Sequence, residues 1–433
     1  MSESTKTKNV FSNRNYRLVF FGALVSEMGS VLYSFAVSFY ILEISGNNAF
    51  LQGLFLAICG IVLLLFTPVG GVLGDRYHRG KIMFICDYLK GGIIIAAAAL
   101  MLLFREPNAH IAILFVTGIV GNAVSGIFSP AAGAILPKIV EQDQLQQGNA
   151  YFSVRSSLQS ILGVVLAGIL YAALPINLLF IIVGVCYILS GVSEMFIRYE
   201  HVLSEEKLTI KLALSDMKEG LVYLKQKKAI LALMVCALFI NFFVSPIWGN
   251  FVPYFIKTDI AQAPSYLFDR LLTPELWSSV FSVLMGVSSL VGSLLISGGK
   301  QHDKCGSLVA RRICIMAAIT IALSASYGIL VGKGTSLNAF LMVFCFGCLL
   351  FGFVLVYINV PINTVLMRVV DESMLSKVSS IISVLSQGLI PIASVIAGAV
   401  LQGFGSLWLL IVSSIGVAAT AIIMLLNKDV KNI

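Results

Sequence analysis

The chain is poor in charge. Only 12% of its 433 residues are Asp, Glu, Lys or Arg, and 58% are hydrophobic, whereas a soluble domain carries roughly 25% charged residues. The mean hydropathy of +0.95 reflects the same shortage of polar groups. Too few polar side chains remain to cover a surface that faces water, so the composition excludes a soluble enzyme, a nucleic-acid-binding module and a disordered protein.

Motifs for catalysis and for metal binding are missing as well. The four histidines lack the spacing of metal ligands, and the sequence contains neither a Walker A motif nor a G-x-S-x-G motif. Cys345 and Cys348 form a C-x-x-C inside an apolar run, where free cysteine behaves as a small hydrophobe. We therefore expect a protein that is not an enzyme and that holds no metal or cofactor.

What the sequence has instead is long apolar runs, each with the roughly 20 residues that cross a bilayer as a helix. Of the 29 Lys and Arg, all but Arg105, Lys257, Arg270 and Lys333 fall on one side of the resulting topology. Basic residues are retained on the cytoplasmic side, so both termini are predicted to be cytoplasmic. The predicted spans are 17–43, 49–73, 82–104, 110–136, 150–174, 176–198, 229–256, 276–298, 309–331, 337–366, 378–403 and 405–427.

One long polar segment divides the chain into six spans and six spans. It predicts an N-terminal six-helix bundle at 1–198, a cytoplasmic linker at 199–228 with an amphipathic helix at 208–223, and a C-terminal six-helix bundle at 229–433. An internal repeat supports this division, since residues 139–168 align with 369–398 without a gap and share eight identical pairs. Six spans separate the copies, so the two halves are predicted to be parallel repeats related by an axis along the membrane normal.

The loop after the second span reads GGVLGDRYHRGK. It resembles the signature loop of the major facilitator superfamily, G-x-L-x-D-R-x-G-R-R/K, although His78 and Gly80 depart from that pattern. The stretches 128–150 and 216–231 are similar to the macrolide-efflux and enterobactin-exporter branch of that superfamily. The signature positions that match are Gly71, Leu73, Asp75, Arg76 and Arg79.

The resemblance implies a fold and an activity. The fold is an all-α membrane protein of twelve helices in two pseudo-symmetric six-helix bundles, and the signature loop controls its conformational gating. The activity is export of an amphipathic small molecule, such as a macrolide-like drug, in exchange for protons by alternating access. The host membrane is the bacterial plasma membrane, and the protein is expected to be a monomer. There are two alternatives. The cargo is a siderophore or a lipid-like metabolite, or the protein is a sensor or scaffold that does not transport.

Glu27 is the clearest acid within a span. It lies about ten residues into the first segment, roughly 15 Å deep at 1.5 Å per residue. No basic residue of that segment is near it, and Ser30, Ser34 and Ser38 share its helical face. A carboxyl group without a basic partner there is expected to be protonated much of the time, as a proton-coupling group requires. A structural Glu bonded to a neighbouring helix is the alternative.

Other ionisable residues rank second. Asp87 and Lys90, three residues apart on one helical face, are interpreted as a structural pair beneath the signature loop. Arg155 leaves three interpretations open, namely binding an anionic substrate, countering Asp87 or Glu194, and reaching toward the cytoplasm. Uncharged polar residues inside the spans are candidates for the wall of a substrate cavity; they are Ser30, Ser34, Asn122, Gln159, Asn241 and Gln387.

Overall fold

Helices are the regular secondary structure in the residues that the computed structural model describes: 9–141, 144–199, 222–224, 227–297, 305–332, 334, 336–370 and 387–427. No strand occurs within these ranges, so the expected all-α class is confirmed. Besides a 3-10 turn at Val10–Ser12 and a short helix at Leu136–Ile139, there are twelve apolar helices. They are α1 (Arg14–Ile44), α2 (Ala49–Arg76), α3 (Arg79–Leu103), α4 (Pro107–Gly133), α5 (Leu145–Leu158 and Val164–Ala173, joined by a π-helical turn at Gln159–Gly163), α6 (Ile176–Met195), α7 (Lys228–Pro246 and Val252–Phe255, with π-helical turns at Ile247–Phe251 and Ile256–Ile260), α8 (Leu276–Ser297), α9 (Cys305–Leu330), α10 (Leu337–Val369), α11 (Ile390–Phe404) and α12 (Ser406–Leu426).

Eleven of these helices are long and apolar enough to cross a membrane, and α11 is a shorter apolar helix of 15 residues. Most predicted span boundaries agree with the helices to within a few residues. The predicted eleventh span begins at 378, but residues 371–386 lie outside the described part. That gap also covers most of the second repeat copy, and the predicted linker helix at 208–223 lies almost wholly outside the described residues. The repeat and the linker helix therefore stay predictions.

The helices begin and end where the local sequence directs. Pro107 stands at the first position of α4 and Pro391 near the start of α11, where a missing N–H removes no helical hydrogen bond. Between α1 and α2 the chain turns through Gly46 and Asn47, both with positive φ. Gly405, with φ of +84°, makes the reversal between α11 and α12.

The helices form two compact units. The first contains α1 up to Val37, α2 from Ile61 onward, and α3 to α6. Its centre is the contact between α3 and α6, where a Cβ added to Gly91 would lie 2.7 Å from the carbonyl oxygen of Gly184. Because neither glycine has a side chain, the two backbones approach closely and buried residues pack tightly on either side.

The second compact unit contains α7 to α12 together with Ser38–Gly60, the end of α1 and the start of α2. Gly53 of α2 lies directly against the Ser394 carbonyl of α11, and a Cβ on Gly398 would lie 2.5 Å from the Ala49 carbonyl oxygen. Polar side chains reinforce this packing, since the wholly buried Gln52 donates through Nε2 to Ser38 Oγ over 2.7 Å. The start of α2 is therefore held to α11 by backbone contact at two glycines.

The signature loop is held by one arginine. Arg79, the first residue of α3, donates from Nε to the Gly74 carbonyl oxygen over 3.1 Å and from Nη1 to the Ala134 carbonyl oxygen. Ala134 caps the C-terminal end of α4, whose free carbonyl groups favour a cation. The guanidinium thus joins α2 and α3 to the end of α4.

The two glycines that open the signature loop differ in their surroundings. A Cβ on Gly70 would lie 2.5 Å from the Gly126 carbonyl oxygen of α4, but nothing lies within 4 Å of the same position at Gly71. The close approach of α2 to α4 is therefore made at Gly70 and not at Gly71. Gly70, one residue earlier, makes the contact because the face of α2 that meets α4 carries residue 70.

The glycine contact between α2 and α11 predicts a stability difference. Gly398→Ala is expected to destabilise the protein by about 1–3 kcal/mol, because the new methyl group overlaps the α2 backbone. Gly403→Ala in the same helix is the matched control, since nothing lies within 4 Å of its new methyl group, and it should be neutral or stabilising by up to about 1 kcal/mol. Thermal unfolding of the purified protein in detergent measures both. Equal melting temperatures would contradict the proposed packing.

The arginine clamp predicts a second difference. Arg79→Gln removes two hydrogen bonds from a charged donor and should lower the free energy of unfolding by about 1.5–3 kcal/mol. Lys81→Gln removes an exposed charge two residues later and should change stability by less than about 0.5 kcal/mol. Thermal unfolding of both variants is the measurement. An Arg79 variant as stable as the Lys81 variant would show that the clamp contributes nothing.

Candidate functional site

Glu27 is the partly exposed acid at the centre of the candidate site in the first unit. It stands on α1 at the middle of the helix, and its Oε1 accepts an ion-paired contact of 2.9 Å from Nη2 of Arg155 on α5. The side chain of Glu27 is 29% exposed and that of Arg155 is 12% exposed. Oε2 of Glu27 has no hydrogen-bond partner among the described residues. One carboxyl oxygen is therefore ion-paired, while the other is buried without a hydrogen-bond partner among the described residues.

The expectation of a carboxyl group without a basic partner is wrong for Glu27. The partner comes from α5 rather than from α1, and inspection of a single helix does not find it. The direct ionic partner of Arg155 is Glu27 rather than Asp87 or Glu194. An ion pair lets both groups stay charged inside an apolar segment, where either alone would be strongly disfavoured.

Local structure positions the arginine. Its guanidinium carbon lies 4.5 Å from the ring centroid of Phe152, one turn earlier on α5, so the ring face stabilises the cation. Four residues further on, the π-helical turn at Gln159–Gly163 interrupts the regular helix. A Cβ on Gly163 would lie 3.3 Å from the Met28 sulfur atom, so this turn brings α5 against α1 next to Glu27.

Two further carboxyl groups are buried between α3 and α6. Asp87 and Glu194 are each 1% exposed. Oδ2 of Asp87 and both carboxyl oxygens of Glu194 have no hydrogen-bond partner in the described part of the chain. Ser190 and Lys90 are the polar neighbours of Asp87, and Asp87 and Arg155 are the charged neighbours of Glu194.

The predicted pair of Asp87 with Lys90 is not formed as a direct contact. Lys90 donates from Nζ to the hydroxyl oxygen of Tyr187 over 3.0 Å, and the ammonium lies 4.4 Å from the centroid of the same ring. Lys90 therefore acts on Asp87 only as a neighbouring charge. Tyr187 reaches it from α6 because α3 and α6 are in close contact along their glycines.

The uncharged candidates are distributed over both units. In the first unit Ser34 is exposed, Ser30, Asn122 and Gln159 are half-buried, and Asn122 donates to the Gly118 carbonyl oxygen of its own helix over 2.8 Å. In the second unit Asn241 is half-buried and Gln387 is exposed. A role for these residues in binding substrate stays a prediction.

In the signature loop, Arg76 is exposed at the end of α2. The side chain of Asp75 lies outside the described part. The roles of Gly71, Asp75, Arg76 and Arg79 in gating also stay predictions.

Sequence reasoning missed two polar clusters in the second unit. Lys257 contacts Glu43 and Glu275, with Nζ 3.0 Å from a carboxyl oxygen of each. Asp259, also in α7, accepts hydrogen bonds of 2.8 Å from Thr258 and from Tyr327 of α9. A seventh span that ends at 256, as hydropathy predicts, places Lys257, Thr258 and Asp259 in a loop. Because a π-helical turn continues the helix to Ile260, these three residues belong to α7.

The described residues contain no group of three or more His, Cys, Asp or Glu side chains placed to hold a metal ion. The ionisable groups of the first unit can exchange protons and charge. Glu27 can take up a proton, and Arg155 can release Glu27 once that carboxylate is neutralised.

Comparison with known proteins gives consistent results. The family model described as Major Facilitator Superfamily matches residues 19–394. The chain is 24% identical over 319 residues to macrolide efflux protein A of Streptococcus pyogenes, covering 71% of this chain and 73% of the relative. It is 22% identical over 399 residues to the uncharacterized MFS-type transporter YvqJ of Bacillus subtilis (strain 168), covering 91% and 87%.

Solved structures show the same fold. The crystal structure of a D-xylose-proton symporter superposes with a TM-score of 0.71 at 13% sequence identity, covering 98% of this chain and 100% of the symporter. Together with the helices described above and the signature loop, the family match leads to one conclusion. The chain belongs to the major facilitator superfamily and is a multi-pass membrane transporter.

Proposed function

We propose that the chain is a secondary active exporter of an amphipathic small molecule, a macrolide-like drug, and that it works by proton antiport with alternating access. The similarity to macrolide efflux protein A supports the cargo class and the direction. The observation that carries the coupling is the ion pair of Glu27 and Arg155 within the spans of the first unit. The membrane is the bacterial plasma membrane, with both termini cytoplasmic and the bundles at 1–198 and 229–433.

The ion pair gives the coupling its chemistry. While Glu27 is ionised it holds Arg155 through Oε1, and its Oε2 is buried without a hydrogen-bond partner among the described residues. When alternating access opens the site, Oε2 can bind a cationic group, such as the tertiary amine of a macrolide. A proton that binds Glu27 cancels the negative charge, so the carboxyl group loses its attraction for the amine. Proton and substrate therefore compete for one carboxyl group, and such competition couples the inward movement of one to the outward movement of the other.

Removing the titratable oxygen tests the coupling. Glu27→Gln keeps the shape of the side chain and should abolish pH-driven accumulation of radiolabelled erythromycin in everted vesicles. Exchange down the substrate gradient should persist, because it needs no proton. Glu106→Gln is the control, since Glu106 is exposed and makes no side-chain capping bond at the start of α4. If the Glu27 variant accumulates the drug as the wild type does, at equal expression, Glu27 is structural.

Removing the arginine tests the pair itself. Arg155→Gln leaves the Glu27 carboxylate unpaired in the span and should lower stability by about 1–3 kcal/mol, below the 3–5 kcal/mol for a fully buried pair because Glu27 is partly exposed. The loss should be larger at alkaline pH than at acidic pH, since protonation of Glu27 removes the unpaired charge. The double variant Glu27→Gln/Arg155→Gln should recover stability and lose this pH dependence. Melting temperatures across pH measure all three proteins, and a pH-independent loss would refute the pairing.

A further inference from the structure

Glu194 stands out among the carboxyl groups of the first unit. It lies in the last turn of α6, is 1% exposed, and has no hydrogen-bond partner for either carboxyl oxygen in the described residues. A buried acid of this kind is disfavoured in its ionised form unless a base pairs with it.

The helix that carries Glu194 packs closely against α3. A Cβ on Gly191 would lie 3.3 Å from the Phe84 carbonyl oxygen. The α1 helix packs on the other side, where a Cβ on Gly22 would lie 3.3 Å from the Ser193 side chain. Val19 of α1 and Val124 of α4 belong to the apolar cluster that continues this packing. The surroundings are therefore apolar except for a few named groups.

Those groups can be counted. Among the described residues, the acids are Glu27, Asp87 and Glu194, and the bases are Arg155 and Lys90. Neutral polar neighbours are Cys86, Tyr187 and Ser190. Three carboxyl groups and two bases leave one negative charge in excess if all five are ionised.

The contacts decide which acid carries the excess. Arg155 is bound to Glu27 at 2.9 Å, and Lys90 is the base next to Asp87. Glu194 has no base of its own and faces the like charge of Asp87. Two carboxylates in one buried site cannot both stay ionised at modest free energy, so one takes a proton.

We infer that Glu194 is a second proton-binding site and carries a bound proton while Arg155 is paired with Glu27. Loss of this proton creates a second carboxylate that attracts Arg155 and weakens its hold on Glu27. The effect on Glu27 rests on the proposed function, but the presence of the proton does not. The occupant is a proton rather than an alkali cation, because one proton neutralises Glu194 without the several oxygen ligands that a metal cation needs.

Infrared spectroscopy tests the inference directly. The protein is labelled with 13C-glutamate, reconstituted in lipid, and titrated with alkali while the carbonyl stretch of protonated carboxylic acids is recorded. The wild type should show an isotope-shifted band at neutral pH that disappears on alkaline titration. Glu194→Gln should lack this band, whereas Glu106→Gln, which removes an exposed acid outside the cluster, should keep it.

A second variant covers the case in which Glu194→Gln does not fold. Glu194→Asp should replace the isotope-shifted band with an unshifted one, because aspartate is unlabelled. A wild-type spectrum without a protonated glutamate band at neutral pH, or a band unchanged in the Glu194 variants, would overturn the inference. Loss of the band on replacing choline chloride with sodium chloride would also overturn it, since sodium would then be the occupant.

The vesicle assay separates this inference from the proposed function. Glu194→Gln fixes the neutral form, so accumulation of erythromycin should fall to the level of vesicles without a pH gradient. If the wild type accumulates no macrolide but shows the glutamate band, the proton site stands and the proposed cargo fails. If the wild type transports and the band is absent, the proposed function stands and the inference fails.

Discussion

The constraint on which the rest depends is that an ionised side chain inside an apolar helix needs a partner from another helix. A bilayer offers no water to solvate the charge, so an isolated carboxylate there is protonated or paired. The first unit shows both solutions. Glu27 of α1 reaches Arg155 of α5, and Glu194 of α6 lies buried without a base of its own. The same constraint therefore produces an ion pair at one position and a proton site at the other.

These pairings need helices that approach closely, and glycines provide the approach. Gly91 and Gly184 bring α3 against α6, and Gly163 brings the π-helical turn of α5 against α1. Without a side chain at these positions the backbones come near enough for short groups such as Asp87 and Ser190 to meet. The π-helical turn also changes which face of α5 is presented between Arg155 and Gly163. Such turns inside α-helices are frequent at functional sites.

Hydropathy predicted the helices well because the bilayer acts on each span separately. A run of apolar residues is a property of one segment, so its ends can be read without knowing its neighbours. The end of α7 is the exception, since polar residues such as Lys257 and Asp259 continue a helix that hydropathy ends at 256. Their charges are satisfied by Glu43, Glu275 and Tyr327, which are distant in sequence. The signature loop was recognised from its order of residues, but the contact at Gly70 rather than Gly71 depends on helix rotation.

The charged site was predicted only in part, for the same physical reason. Depth along a helix identified Glu27, and depth is a local quantity. Whether Glu27 is paired depends on which helix lies beside it, and that information is absent from the pattern of α1. The pairing changes the mechanism. An unpaired, protonated carboxyl group would have to lose a proton before it could bind a cation, whereas the paired carboxylate is already ionised and has to be released from Arg155. Arg155 is then the group whose position decides how strongly Glu27 binds a cation. Any carboxylate that competes for Arg155 regulates that binding, and Glu194 is the buried acid whose charge acts on it.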